Sequence, residues 1–208
     1  MNSNLAFVFP GQGSQKIGML ADLAAANPLV EETFKEASDV LGYDAWKLIQ
    51  EGEQEDINLT ERTQPLLLTA SVAIWRLWQQ QGGPLPAAMA GHSLGEWSAL
   101  VCAGVVEFAD AVAIVRARGA FMQQAVPVGV GAMAAIMGIE DQIVIDACAD
   151  AAQGQIASAV NFNSPGQVVI AGDKAAVERA CTACTEQGAR KVVMLKVSVP
   201  SHCGLMKS

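Results

Sequence analysis

A short apolar run at residues 87–91 leads into Gly91-His92-Ser93-Leu94-Gly95 and then into an amphipathic run at 94–103. Few local patterns restrict a fold so tightly. Apolar residues that stop at a glycine turn read as a buried strand, and the 3.6-residue spacing that follows reads as a helix. A strand that converts so abruptly into a helix belongs to an α/β layer with the sheet inside. The glycines have a steric task here. The turn brings backbone against backbone, and a Cβ on either side of the serine would clash. The string G-x-S-x-G recurs by chance, so its setting carries the weight, and strand–turn–helix is the setting that presents a nucleophilic serine. Ser93 would stand at a helix N-terminus, where partial positive charge and unpaired N–H groups favour an oxyanion. The Leu94 N–H is then the first expected oxyanion donor. The alternative is a glycine-rich turn in which Ser93 simply caps the helix.

A serine hydroxyl needs a base near neutral pH, and the chain has only two histidines, His92 and His202. His92 neighbours Ser93 on a tight turn where adjacent side chains diverge, which makes it a poor base. His202, in Val199-Pro200-Ser201-His202-Cys203, falls in a break after a strand, and is the base by elimination. A structural role for it stays open. Ser201 and Cys203 lack an elbow and rank low as nucleophiles.

One charge is out of place. Ala111, Val115, Arg118, Met122 and Ala125 form one face of a helix, apolar except for Arg118. An arginine on such a stripe is costly without a partner. Either a structural carboxylate pairs with it, or the guanidinium fork holds a substrate carboxylate. Arg116 falls off the stripe and is expected to be exposed.

The rest of the chain falls into two textures. A strand at 6–9 runs into Pro10-Gly11-Gln12-Gly13-Ser14-Gln15, and helices are expected at 16–25, 28–41, 63–81 and 107–126. From 131 on, the order is strand 131–138, helix 141–152, strand 156–163, strand 167–171, helix 174–187 and strand 191–197. This βαββαβ order is the split βαβ pattern of a ferredoxin-like unit. The expected fold class is α/β, with a small domain at 128–198 inserted into a core made of 1–127 and 199–208.

A net charge of −8 argues against nucleic acid as a partner. No apolar run is long enough for a membrane span, and residues 1–9 lack the pattern of a signal peptide, so a cytoplasmic protein is expected. Five cysteines, an odd number, suggest reduced thiols. Cys181 and Cys184 form a CxxC inside a helical pattern with no second pair and no nearby His, so no metal is expected. Gly129-Val130-Gly131-Ala132-Met133-Ala134 fits a relaxed dinucleotide pattern but precedes a strand instead of following one.

Six ordered motifs together resemble the malonyl-CoA:acyl-carrier-protein transacylases of fatty-acid synthesis. They are Phe9-Pro10-Gly11-Gln12-Gly13-Ser14-Gln15, Gly91-His92-Ser93-Leu94-Gly95-Glu96, Arg118-Gly119 with Met122, Gly131-Ala132-Met133-Ala134, Asn161-Phe162-Asn163-Ser164-Pro165 and Val199-Pro200-Ser201-His202. The resemblance implies a hydrolase-like α/β core with a ferredoxin-like insert. It implies that Ser93 takes the malonyl group from coenzyme A, with His202 as base and then acid. Gln12 and Leu94 would supply the oxyanion N–H groups, and Arg118 would hold the malonyl carboxylate. Met122, His92, Asn163 and Gln12 would line the substrate. The acyl-enzyme then passes its group to the phosphopantetheine thiol of acyl carrier protein, with no cofactor of its own, and a monomer is expected. An acidic carrier needs a local basic patch, for which Arg190 and Lys191, near Lys196, are the candidates. Family members continue for roughly a further third of their length, so strands of the core and the group that orients the histidine are expected beyond Ser208, and apolar surface is expected to be exposed. A serine esterase, or a truncated chain without activity, are the alternatives.

Overall fold

The computed structural model describes residues 2–127, 129–195, 197 and 199–207, and the chain divides into two compact units, Met1–Ala120 and Phe121–Ser208. The expected domain limits at Val128 and Ser198, and Lys196 of the basic group, lie outside the described residues.

In the first unit, β1 (Asn2–Phe9) and β2 (Pro86–Gly91) pair in parallel, with Phe7 opposite Met89 and Phe9 opposite Gly91. Between them run α1 (Ala21–Ala26), α2 (Leu29–Leu41), α3 (Ala45–Glu51), α4 (Gln54–Ile57) and α5 (Thr60–Gln80). The elements α6 (Leu94–Cys102) and α7 (Phe108–Ala125) follow β2. The helix expected at 16–25 is much shorter in the structure. Gly18 and Leu20 both have positive φ (79° and 65°), which a right-handed helix does not allow, so the chain turns before α1 begins. Two short helices, α3 and α4, were not anticipated, and α5 starts at Thr60 rather than at 63.

The core of this unit is built around α5, whose residues Thr63 to Ala73 are all buried. Phe34, Ile49, Ile57, Leu66, Leu68 and Leu94 are each 1% exposed or less. Phe7 stacks edge-on against Trp75 and Trp78, at 5.3 and 5.4 Å between ring centroids, fixing β1 to the far end of α5. Val8, on the opposite face of the same strand, is 78% exposed.

The second unit holds β3 (Gly131–Met137), α8 (Asp141–Ala152), β4 (Ala157–Ser164), β5 (Gln167–Asp173), α9 (Lys174–Glu186) and β6 (Lys191–Met194). The strand order is β4-β5-β3-β6, and every pairing is antiparallel. β5 therefore lies between β3 and β4, which are the two strands joined by α8. Alternation along β3 sorts its side chains: Ala134 and Ile136 join the cluster of α8 and α9, while Met133 and Ala135 join Val169, Ala171 and Cys203 on the other face. Asp173 ties the start of β4 to the end of β5, since its Oδ2 accepts from Ile156 N at 2.7 Å and its own N–H donates to Ile156 O at 2.8 Å. No helix of the described residues is long and apolar enough to cross a membrane.

Candidate active site

The turn after β2 is an elbow built by its glycines. A Cβ on Gly91 would overlap the Gly95 carbonyl and Glu96 N. One on Gly95 would overlap the Phe9 carbonyl and lie 2.9 Å from Pro10 O. The chain closes on itself because nothing projects from either position. Ser93 is forced to φ 53°, ψ −107°, a conformation that costs about 1–3 kcal/mol for a residue with a side chain and is typical of functional turns. Ser93 occupies the position before α6, yet its side chain makes no capping hydrogen bond. The capping role is therefore not what this serine does.

The N–H groups of Gly95 and Glu96 donate to His92 O and Ser93 O, at 2.9 and 3.1 Å. Among the described residues none accepts from the Leu94 N–H, which leaves a donor at the positive end of α6 next to Ser93. The loop carrying Gln12 runs beside the elbow, with Gly11 close enough to His92 that an added Cβ would lie 2.8 Å from its carbonyl oxygen and 2.9 Å from its Nδ1. The Gln12 Nε2 donates to Thr60 Oγ1 at 3.4 Å, tying this loop to the first turn of α5.

Arg118 completes the cluster. Its Nη2 lies 3.5 Å from Ser93 Oγ and its Nη1 donates to Gln64 Oε1 at 2.7 Å. Among the described residues no carboxylate forms an ion pair with it. Desolvation lowers its pKa, while the charge of Glu96 acts in the opposite direction. The expected stripe holds, with Ala111 and Val115 fully buried on the same helix, and Arg116 is exposed, donating to Leu41 O. The structure thus answers one of the two sequence readings: the protein partner of Arg118 is an amide and not a carboxylate. Gln12, His92, Ser93, Leu94 and Arg118 come together within the first unit.

The remaining candidates belong to the second unit. Met122 is half-buried on α7, Asn163 is exposed on β4, and His202 is exposed with φ 66°. Arg190 and Lys191 are exposed at the start of β6, where Arg190 N donates to Met137 O at 2.9 Å and the Arg190 side chain covers Gly138. Cys203 is 7% exposed and its Sγ donates to Pro200 O. Burial raises its pKa, so it is a poor nucleophile. No group of metal-binding side chains occurs among the described residues.

Gln64 and Thr60 are the site residues that the sequence reading missed. The available signal was a polar amide, Gln64, inside a helical run whose neighbours are mostly apolar.

The acyl transferase domain family matches residues 6–208. The malonyl CoA-acyl carrier protein transacylase of Escherichia coli strain K12 is 66% identical over 205 residues, which are 99% of this chain and 66% of that protein. The solved malonyl CoA-acyl carrier protein transacylase from Coxiella burnetii superposes with a TM-score of 0.97 at 53% identity, covering 100% of this chain and 66% of the other. A complex described as a holo type II PKS acyl-carrier protein with its malonyl-transacylase matches with a TM-score of 0.95 at 64% identity, over 97% of this chain and 65% of that one. The chain spans about two thirds of the length of the curated relatives it matches.

Proposed function

The chain belongs to the acyl transferase domain family, and from that premise we propose that it moves a malonyl group from coenzyme A to the phosphopantetheine thiol of acyl carrier protein. The observation that carries this reading is the guanidinium of Arg118, 3.5 Å from Ser93 Oγ and held by a neutral partner. An esterase acting on neutral acyl groups has no use for a half-buried cation beside its serine. A donor whose acyl group ends in a carboxylate does.

In the proposed reaction His202 takes the Ser93 hydroxyl proton as Oγ attacks the thioester carbonyl. The N–H groups of Leu94 and Gln12 stabilise the oxyanion that forms. Collapse breaks the carbon–sulfur bond, and His202 returns its proton to the departing coenzyme A thiol. The malonyl-serine is then attacked by the carrier thiol in the same two steps, with the proton returning to Ser93 Oγ. Arg118 binds the malonyl carboxylate throughout, with Met122, His92 and Asn163 lining the substrate. Arg190 and Lys191 receive the acidic carrier. No cofactor takes part, and the setting is a cytoplasmic monomer. We further assign residues 128–198 to a ferredoxin-like small domain inserted in a hydrolase-like core of 1–127 and 199–208, a reading supported by the antiparallel order β4-β5-β3-β6.

Labelling tests the scheme. Radioactive malonyl-CoA should leave one acyl group on the chain, absent in Ser93→Ala and nearly absent in His202→Ala. Arg118→Ala should lower malonyl transfer about a hundredfold, since hydrogen bonds to a charged group contribute about 1.5–3 kcal/mol each, and should leave acetyl transfer largely unchanged. An equal fall with both donors would remove the carboxylate role. Charge reversal of Arg190 and Lys191 should weaken use of the carrier while sparing transfer to free pantetheine.

A further inference from the structure

Gln64 is fully buried on α5, 0% exposed, in a stretch that otherwise builds the core. Its Oε1 accepts from Arg118 Nη1 at 2.7 Å, while Nη2 of the same guanidinium reaches toward Ser93 Oγ. We infer that Gln64 is a specificity-determining positioning residue, whose neutral amide aims the Arg118 fork at the acyl group on Ser93 without cancelling its charge. The inference rests on the proposed role of Arg118 as the carboxylate binder.

The choice of an amide is the informative point. A buried arginine is ordinarily matched by a carboxylate, and such a pair is held firmly but is electrically spent. Glutamine has nearly the same shape as glutamate and offers one carbonyl oxygen, enough to fix one edge of a group with five N–H donors. The remaining donors, and a positive charge that no ion pair among the described residues cancels, stay available to an anion. The orientation is also rigid. A Cβ on Gly119, the residue after Arg118, would lie 2.6 Å from both Thr60 O and Glu61 Cα. α7 and the first turn of α5 are therefore in backbone contact at this point, and the Gln64–Arg118 bond joins two packed helices rather than a loop.

The test compares acylation of Ser93 by malonyl-CoA and by acetyl-CoA, read by intact mass, in the full chain carrying Gln64→Glu, Gln64→Met or Arg118→Ala. Gln64→Glu should slow malonyl acylation at least thirtyfold and change acetyl acylation less than threefold, collapsing the preference. Gln64→Met, which keeps the charge and loses the aim, should lower the malonyl-to-acetyl acylation ratio about tenfold, and carries the test alone should the glutamate variant not fold. In a Ser93→Ala background, calorimetric binding of malonyl-CoA should weaken in the same order. Overturning results are an unchanged malonyl-to-acetyl ratio and unchanged binding in both Gln64 variants, or an equal fall with both donors. If Arg118→Ala lowers both donors alike, the carboxylate reading itself fails, a different outcome from a Gln64 failure with Arg118→Ala behaving as stated.

Discussion

Gly95→Ala sets two familiar expectations against each other. Gly95 lies inside α6, and replacing a helical glycine by alanine ordinarily stabilises by about 1 kcal/mol. At this position the new methyl would overlap the Phe9 carbonyl oxygen and lie 2.8 Å from Phe9 C and 2.9 Å from Pro10 O. Every obstacle is main chain, with no flexible side chain to swing aside, so the overpacking cost belongs near the top of the usual range, about 3 kcal/mol. Relief requires the end of β1 to move away from the elbow. That movement stretches the 3.1 Å bond from His92 N to Phe9 O, adding about 1 kcal/mol. The net expectation is a loss of about 3 kcal/mol, and for a chain of this size a melting temperature lower by roughly 6–12 °C. Thermal unfolding followed by far-ultraviolet circular dichroism reads it directly. Malonyl labelling of Ser93 should fall in parallel, because the elbow that orients the hydroxyl is the part displaced. A variant that melts at or above the parent temperature would refute the steric account and leave helix propensity in command.

Two further outcomes follow from other parts of the chain. Burial pushes the thiols of Cys102 and Cys148 up to about 12 from an ordinary value of 9.0, so between those values the unfolded chain releases protons that the folded chain keeps. Stability should fall as pH rises above 9, by about 1 kcal/mol per thiol at pH 10, and urea titrations of Cys102→Ala and Cys148→Ala should show a shallower slope; variants as alkali-sensitive as the parent would speak against it. Arg179 donates to Ala151 O from Nε and Nη2, at 3.0 and 2.7 Å, and to Gln155 Oε1 at 2.9 Å, closing the C-terminal end of α8 from α9. Arg179→Ala should cost about 2 kcal/mol and speed amide exchange in the last turn of α8, an effect that Arg179→Lys repairs only in part; unchanged exchange would mean the bonds do not hold that turn.

Much of this architecture could be read from residue order because it depends on punctuation. The elbow announces itself through Gly91 and Gly95, whose missing side chains are a local necessity. The small unit announces itself through the order of its runs, strand, helix, strand, strand, helix, strand, although the run at 131–137 is apolar throughout and only the structure sorts Ala134 and Ile136 from Met133 and Ala135. Elements without such marks escaped. α3 has seven residues and α4 four, too few turns for a periodic signal. The turn before α1 depends on Leu20 holding a positive φ, which its side chain gives no hint of. α5 begins at Thr60, three residues before the expected start at 63, and accommodates Pro65 inside the helix.

The site divides along a similar line, for a physical reason. A charge on an apolar stripe is visible in one dimension, because periodicity alone reveals that Arg118 is misplaced. What resolves the misplacement is a contact between two helices, and no spacing rule reaches from residue 118 to residue 64. Two kinds of resolution were open to the chain. A carboxylate would have satisfied the guanidinium and ended its usefulness as a receptor for anions. An amide satisfies only its geometry. The bond from Arg118 to Gln64, 2.7 Å long, therefore does more than stabilise a half-buried cation. It leaves a directed positive charge beside Ser93, the feature on which the proposed choice among acyl groups rests.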